Sequence, residues 1–478
     1  MMSGASLNFQ LTSDLSFISA IASDQSTTIT SGGLTVSNQS GTNLTLTSAN
    51  TYTGGTTISN GTLELGVINA LPSATAVTLA NTTGALLDLN SFSQTIGRLS
   101  GGGTSGGHVK LGTGTLTFGD ATDSNYNGII RGSGSLIKEG AGTSTLSGVN
   151  TYTGGTTLSG GTLSISKDSN LGSSSGGLSF DGGTLLATTG FTSSRAVTLK
   201  GAGTIDVNAT SSLTMSGAFS ESGSLTKTGA GTLILAGTNG YTGGTTVSDG
   251  ILQGSTTSLQ GTITNNASVI FDQAVVGRYA GNMSGSGSLM KKGLGKVIMT
   301  ANNTYAGLTT IDKGTLMLSG SGSVASSSGL ILNNASIFEI AAGAGSKTVA
   351  SLTDDGSGGS EVKLNNNSLR IGSGAYSGAI SGTGGLTKTT SDQLILTGNN
   401  RYIGLTTIDQ GTLTLSGSGS VASSSGLTLN TKSIFEIAAG AGSKTVASLT
   451  DDGSSGSEVK LNNNSLSIGS GIYSGGCC

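Results

Sequence analysis

Along most of the chain, apolar side chains occupy every second position for four or five residues and are then interrupted by Gly, Ser, Asn or Asp. Leu413 and Leu415 alternate with Thr412 and Thr414, and Leu233 and Leu235 flank Ile234. Val109 and Leu111, then Leu116 and Phe118, continue the pattern. Alternation of this length predicts short strands with one face buried. No stretch keeps a 3.6-residue period over a helical length. The one candidate, residues 347–352, is too short and too rich in β-branched side chains. The fold class is all-β.

The strands come in recurring sets. Asn50 to Leu63 reads NTYTGGTTISNGTL and returns as NTYTGGTTLSGGTL from Asn150, NGYTGGTTVSDGIL from Asn239, NTYAGLTTIDKGTL from Asn303 and NRYIGLTTIDQGTL from Asn400. Tyr52, Tyr152, Tyr241, Tyr305 and Tyr402 mark the five copies. Four copies follow an arm of common form: GSGSLIKEGAGTSTLSG from Gly132, ESGSLTKTGAGTLILAG from Glu221, GSGSLMKKGLGKVIMTA from Gly285 and GTGGLTKTTSDQLILTG from Gly382. Residues 336–357 are identical to 433–454 at an offset of 97. Near-exact duplication is tolerated where each unit touches only its neighbours.

That property selects the architecture. A sandwich pairs its strands non-locally, and a propeller blade would carry aromatic signatures, yet aromatics are only 4% of the chain. A solenoid places like residues above one another and is served by repeated Leu, Thr and Asn. Asn365, Asn366 and Asn367, with Asn462, Asn463 and Asn464, belong in turns, where Asn accepts left-handed conformations and stacks in hydrogen-bonded ladders. The expected fold is a right-handed parallel β-helix, or β-solenoid. At about 20 residues per coil and about 4.8 Å between stacked strands, the chain would form about 24 coils and a rod of about 110 Å.

The arm L-T-K-T-G-A-G-T-L followed by N-x-Y-T-G-G-T-T resembles the autotransporter-associated β-strand repeat of bacterial passenger domains. The resemblance covers residues 33–475 and implies a β-helix exported by type V secretion to the outer membrane and cell surface, or released. It implies a structural or adhesive role in virulence, with a host-surface or matrix ligand as partner.

Composition narrows the alternatives. Gly accounts for 83 of 478 residues, charged residues for 9%, and Trp is missing. Evenly spaced Leu, Ile and Val, within a hydrophobic share of 34%, separate this chain from a disordered linker. The net charge is −3, with charges scattered singly. No basic stripe is available for nucleic acid, and no apolar run approaches the roughly 18 residues of a membrane span.

Candidate chemistry is sparse. His108, the one histidine, enters a strand at Gly106-Gly107-His108 without a marked Ser or Asp partner and reads as a surface or turn residue. The densest acidic features are Asp354 and Asp355 with Glu361, and their repeats Asp451 and Asp452 with Glu458. They are weak candidates for a calcium turn, since their spacing matches neither an EF-hand nor a nonapeptide array. The expected catalytic, cofactor and metal sites are therefore none. Thr51, Thr53, Thr56 and Thr57 are expected to face outward, and the repeat tyrosines to cap a turn against the next coil. Two other readings remain open: a carbohydrate-active β-helix enzyme, which needs a groove of convergent charged side chains, and a lipid-anchored effector using Cys477 and Cys478.

The ends suggest the layout. Residues 1–30 read as an N-terminal cap or irregular lead-in, with Leu7, Phe9, Leu11, Leu15, Phe17 and Ile18 largely alternating. Residues 31–475 read as one continuous β-helix and 476–478 as a non-repeat tail. Met1 to Ala22 lacks the basic residue of a signal peptide, and no terminal set of strands reads as a translocating barrel, so the chain is expected to be part of a larger autotransporter. An uncapped C-terminal coil would favour self-association, with disulfides between the tail cysteines of different chains.

Overall fold

A computed structural model describes residues 7–9, 15–17, 32–37, 40–453 and 456–477. Its elements are strands, with a single turn of 3₁₀-helix at Asp168–Leu171. The chain folds as a parallel β-solenoid. Its contacts group it into two compact units, Met1–Thr245 and Thr246–Cys478.

In the first unit every strand pairs in parallel with one about a coil away. Leu116 faces Leu136, which faces Thr156, and Thr156 faces Leu178. One coil therefore takes 20 to 22 residues, and residues in register form columns. The column Leu116–Leu136–Leu178–Val197–Phe219 is closed to solvent. Burying each such aliphatic side chain contributes about 1.5–3 kcal/mol before chain entropy is charged against it. The alternating residues Thr117, Ile137, Thr157 and Ser179 point the other way and are partly exposed. Leu7–Phe9 pairs in parallel with Leu34–Val36, and Leu15–Phe17 with Leu44–Leu46. Two stretches of the expected lead-in thus extend the ladders, while Leu11 and Ile18 lie outside the described residues.

The second unit repeats the scheme. Leu252, Val269 and Leu289 stack in one column, and Val297, Leu316, Phe338, Val362 and Ile380 in another. Lys347–Asp354 and Leu369–Tyr376, eight residues each, run parallel. The segment weighed as helical is therefore strand, as its β-branched content demanded.

The expected Asn turns form. Asn365, Asn462 and Asn463 adopt positive φ. Their neighbours bond to backbone rather than to like side chains: the Asn367 amide donates to Ala341 O on the preceding coil at 2.9 Å. Those carbonyls lie at a coil corner, where the strand ladder leaves them open and an amide can reach them.

Candidate functional site

The recurring motif is built inward: its Asn joins successive coils, its Tyr and Thr bond to each other within a coil, and its first Gly allows close backbone approach. Asn150 is buried. Its Oδ1 accepts from the Ile130 amide at 2.8 Å, and its Nδ2 donates to Asn170 O at 2.6 Å. One side chain therefore joins the coil before and the coil after. Asn303 repeats this with Met283 N and Ser323 O, and Asn400 with Ile380 N and Ser420 O.

Two residues on, the tyrosine turns into the core. The hydroxyls of Tyr52, Tyr152, Tyr241, Tyr305 and Tyr402 each share a 2.6 Å hydrogen bond with the threonine four residues ahead: Thr56, Thr156, Thr245, Thr309 and Thr406. Burial drives these phenols well above the ordinary tyrosine pKa, so they stay protonated. Thr56 is fully buried, which corrects the expectation of an outward residue. Adjacent strand residues face opposite sides, so one of Thr56 and Thr57 must enter the core, and Thr56 does so with a hydroxyl partner. Thr51 and Thr53 are exposed as expected.

The first motif glycine is fixed by contact. A Cβ on Gly54 or Gly154 would lie 2.6 Å from the carbonyl oxygen of Gly32 or Gly134 on the coil below. At the second glycine a Cβ on Gly55 meets only Ala76 O, at 3.3 Å, and two copies carry Leu308 and Leu405 there.

The arms hold residues that the alternation signalled but that the chemical search passed over. Lys138, Lys227, Lys291 and Lys388 stand in phase with buried leucines and have no exposed surface. Burial lowers the ammonium pKa at Lys138, Lys291 and Lys388, in Lys291 to about 8. Arg195 is also fully buried: Nε meets Asp168 Oδ1 at 2.9 Å, Nη2 meets Asp168 Oδ2 at 3.0 Å, and Nη1 reaches Gly176 O at 2.8 Å. It pins the 3₁₀ turn, and no repetition in the sequence announces it.

The sequence-derived polar candidates do not converge. His108 Nδ1 accepts from the Ile129 amide at 3.1 Å, and desolvation followed by the Arg131 charge lowers its pKa, so it is a neutral coil-to-coil link. Asp354 Oδ2 accepts from the Ser377 amide and hydroxyl at 2.8 Å each. Asp451 receives Ser474 in the same way, which holds its pKa below the usual range. Asp355 accepts from Ser357, and Asp452 from Thr431. Glu361 pairs with Lys363 and Glu458 with Lys460, both at 3.4 Å. Among the described residues no three His, Cys, Asp or Glu side chains form a metal-sized group.

A recess on the surface of the second unit is the candidate binding site. A groove of about 620 Å³ crosses three successive coils, with Glu361 on the first, Ser381 on the second, and Asn399 and Arg401 on the third. It is hollow because small residues stack there: a Cβ on Gly378 would strike Ser360 O and the Tyr376 hydroxyl, and one on Gly398 would strike Gly378 O. Ser381 Oγ donates to Glu361 Oε1 at 2.7 Å, and Arg401 is exposed. Elsewhere, Cys477 is a free, exposed thiol paired in register with Val459, and Cys478 lies outside the described residues.

Five segments match the passenger-associated-transport-repeat family: residues 40–65, 136–165, 225–253, 289–318 and 386–415. Four of these hold an arm lysine, and all five hold the motif's Tyr–Thr pair or its preceding arm. Over 229 residues the chain is 34% identical to the adhesin BmaC autotransporter of Brucella suis biovar 1 (strain 1330), a match covering 47% of this chain and 7% of that adhesin. No solved structure matches. The five matched segments are thus similar to the passenger-associated-transport repeat, in agreement with the autotransporter-type β-strand repeat that the sequence resembles.

Proposed function

We propose that this chain is part of the passenger of a bacterial surface adhesin, displayed at the cell exterior or released, with a non-enzymatic role. The observation that carries the reading is the division of labour within the repeat. Asn, Tyr, Thr, Gly and Lys are spent on packing the interior and joining coils, and the outward positions, rich in Ser, Thr and Asn, are left for contact. The likeness to an adhesin agrees with this. The groove at Glu361 and Arg401 is the proposed contact for a host-surface or matrix ligand, because it offers both charges, an amide and hydroxyls over three coils. A carbohydrate-active enzyme would need three or more convergent ionisable groups, and the groove presents two.

The test is adhesion of the purified chain to host cells and matrix-coated surfaces. A paired Glu361→Ala and Arg401→Ala variant should reduce binding at unchanged stability. Absence of adhesion on every surface, or polysaccharide turnover abolished by a single carboxylate substitution, would overturn the reading. Self-association is proposed to run through the last strands, where Ile472 is 84% exposed and Cys477 is a free, exposed thiol. Light scattering with and without reductant tests it, and a monodisperse monomer in both conditions refutes it. Lipidation at Cys477 and Cys478 would instead appear as added mass on the tail after expression in eukaryotic cells.

A further inference from the structure

A buried lysine in an apolar column is costly unless its charge is met, and here it is met four times by the same device. The Lys291 side chain leaves the strand Ser288–Lys292 between Phe271 and Ile311 in register and curls under its own turn. Its Nζ donates to Lys292 O at 2.6 Å, to Gly293 O at 2.8 Å and to Lys313 O at 3.1 Å. Lys138 makes the equivalent bonds to Glu139 O, Gly140 O and Gly160 O at 2.7, 3.1 and 3.2 Å. Lys388 reaches Thr390 O and Gln410 O, and Lys227 reaches Thr228 O and Gly229 O. An ammonium has three N–H donors and no acceptor, which suits a ring of converging carbonyls. Without it the ring would lose its common donor, and of the Lys291 acceptors Lys292 O would keep the Gln273 amide at 3.0 Å.

Two features show that the lysine serves the turn rather than the column. Two of the acceptors belong to the lysine's own turn, but Gly160 O, Lys313 O and Gln410 O belong to the following coil, 22 residues along. The first copy supplies the contrast. Val36 stands there in the register of the lysines, pairing with Ile58 as Lys138 pairs with Leu158. The segment between Val36 and the inward Leu44 holds seven residues; between Lys138 and the inward Ser144 it holds five, as it does between Lys291 and Val297 and between Lys388 and Leu394. The longer turn does without the ammonium, and the short turn carries it.

We infer that Lys138, Lys291 and Lys388 are internal ammonium clips that make the arm coil and the Asn-x-Tyr coil after it close as one unit. An arm coil formed alone leaves its ammonium one acceptor short. Laying down the next coil completes the ring, so each arm is stabilised by its successor.

Hydrogen exchange of the full chain tests the inference. Lys291→Met keeps the length and apolar fill of the side chain but removes the donors. Exchange should rise at least tenfold in both Lys296–Met299 and Thr309–Ile311, with Leu116–Phe118 unchanged. Lys292→Met, one residue away on the outer face, should leave all three unchanged. Acceleration confined to Lys296–Met299, or none, would overturn the inference. If Lys291→Met does not fold, the wild-type chain decides by amine labelling across a urea series. Lys291 should resist while Lys292 reacts, and should become reactive at the same urea concentration at which Thr309–Ile311 loses protection. Labelling of Lys291 in the native state at the rate of Lys292, or at a separate transition from Thr309–Ile311, would refute it.

Discussion

Replacing Asn150 by alanine tests whether the repeat motif is a set of coil connectors. The side chain is buried and makes two hydrogen bonds to backbone groups of different coils. Alanine leaves the Ile130 N–H and the Asn170 carbonyl facing a small void. Each orphaned buried group costs about 1–3 kcal/mol, so the pair should cost about 2–6 kcal/mol. Because repeats couple mainly to neighbours, the loss should appear locally. Exchange at Ile130 and through Thr162–Ile165 should accelerate by about thirtyfold to about twenty-thousandfold, at about 1.4 kcal/mol per factor of ten. Thr151→Ala, at the exposed neighbouring position, serves as control. Asn150→Asp adds a signed test. Its carboxylate can still accept from Ile130 N–H but opposes the Asn170 carbonyl, so its folded pKa is raised. The variant is then relatively stable below the ordinary carboxylate range and loses stability as pH rises through the folded pKa. An Asn150→Ala protein within about 0.5 kcal/mol of wild type would refute the connector reading, since surface substitutions alone reach that size.

Titration of the second unit should show an alkaline dome. The Lys291 pKa is lowered to about 8 by desolvation, against the pull of Asp272, the facing anion, while an unfolded lysine holds its proton to about 10.4. Between these values the unfolded chain binds more protons, so stability rises with pH; above about 10 the buried tyrosines, raised in the fold, reverse the trend. A urea midpoint that falls between pH 8 and 10, or a Lys291→Met variant with the same slope, would contradict this. Gly54→Ala should lose about 1–3 kcal/mol through backbone overlap, whereas Gly55→Ala, with only Ala76 O at 3.3 Å, should stay within about 1 kcal/mol; thermal melts that reverse the order would refute the contact argument. Arg195→Ala leaves Asp168 and several carbonyls without their donor and should cost about 3–5 kcal/mol, with new proteolytic cleavage between Ser166 and Ser175; intact protection there would show that the 3₁₀ turn stands alone.

The columns were legible because alternation and duplication both report burial. Leu413 and Leu415, Leu233 and Leu235, and Leu116 and Phe118 are all fully buried or nearly so. The interior polar groups were harder to read. Thr56 looks like Thr57 in sequence, and only the need of Tyr52 for a partner separates them. The lysines were visible in the phase of L-x-K, but a charge inside a column contradicts the usual preference until the turn carbonyls are placed around it. Arg195 pairs with Asp168 across 27 residues and occurs once, so neither period nor motif could signal it. The groove depends on which glycines stack at Gly378 and Gly398, a matter of register.

The same inward constraint lets the outward side chains differ from one copy of the motif to the next. Between the buried Asn and Tyr, one residue faces out: Thr51, Thr151, Gly240, Thr304 and then Arg401. After the Tyr the residues are Thr53, Thr153, Thr242, Ala306 and then Ile403, which is 54% exposed. Asn400, Tyr402 and Gly404 keep the same partners as their counterparts while their neighbours change. The connectors alternate with outward positions at the period of the strand itself, so a charged and an aliphatic side chain enter at Arg401 and Ile403 without disturbing the bonds of Asn400 and Tyr402. Arg401 then stands two coils from Glu361, at the opposite side of the hollow left by Gly378. In a solenoid with this inner bonding the variable outward side chains fall on alternate residues, and exchanging Arg401 and Ile403 for the Thr pair of Thr151 and Thr153 should remove the proposed ligand contact while leaving the coil intact.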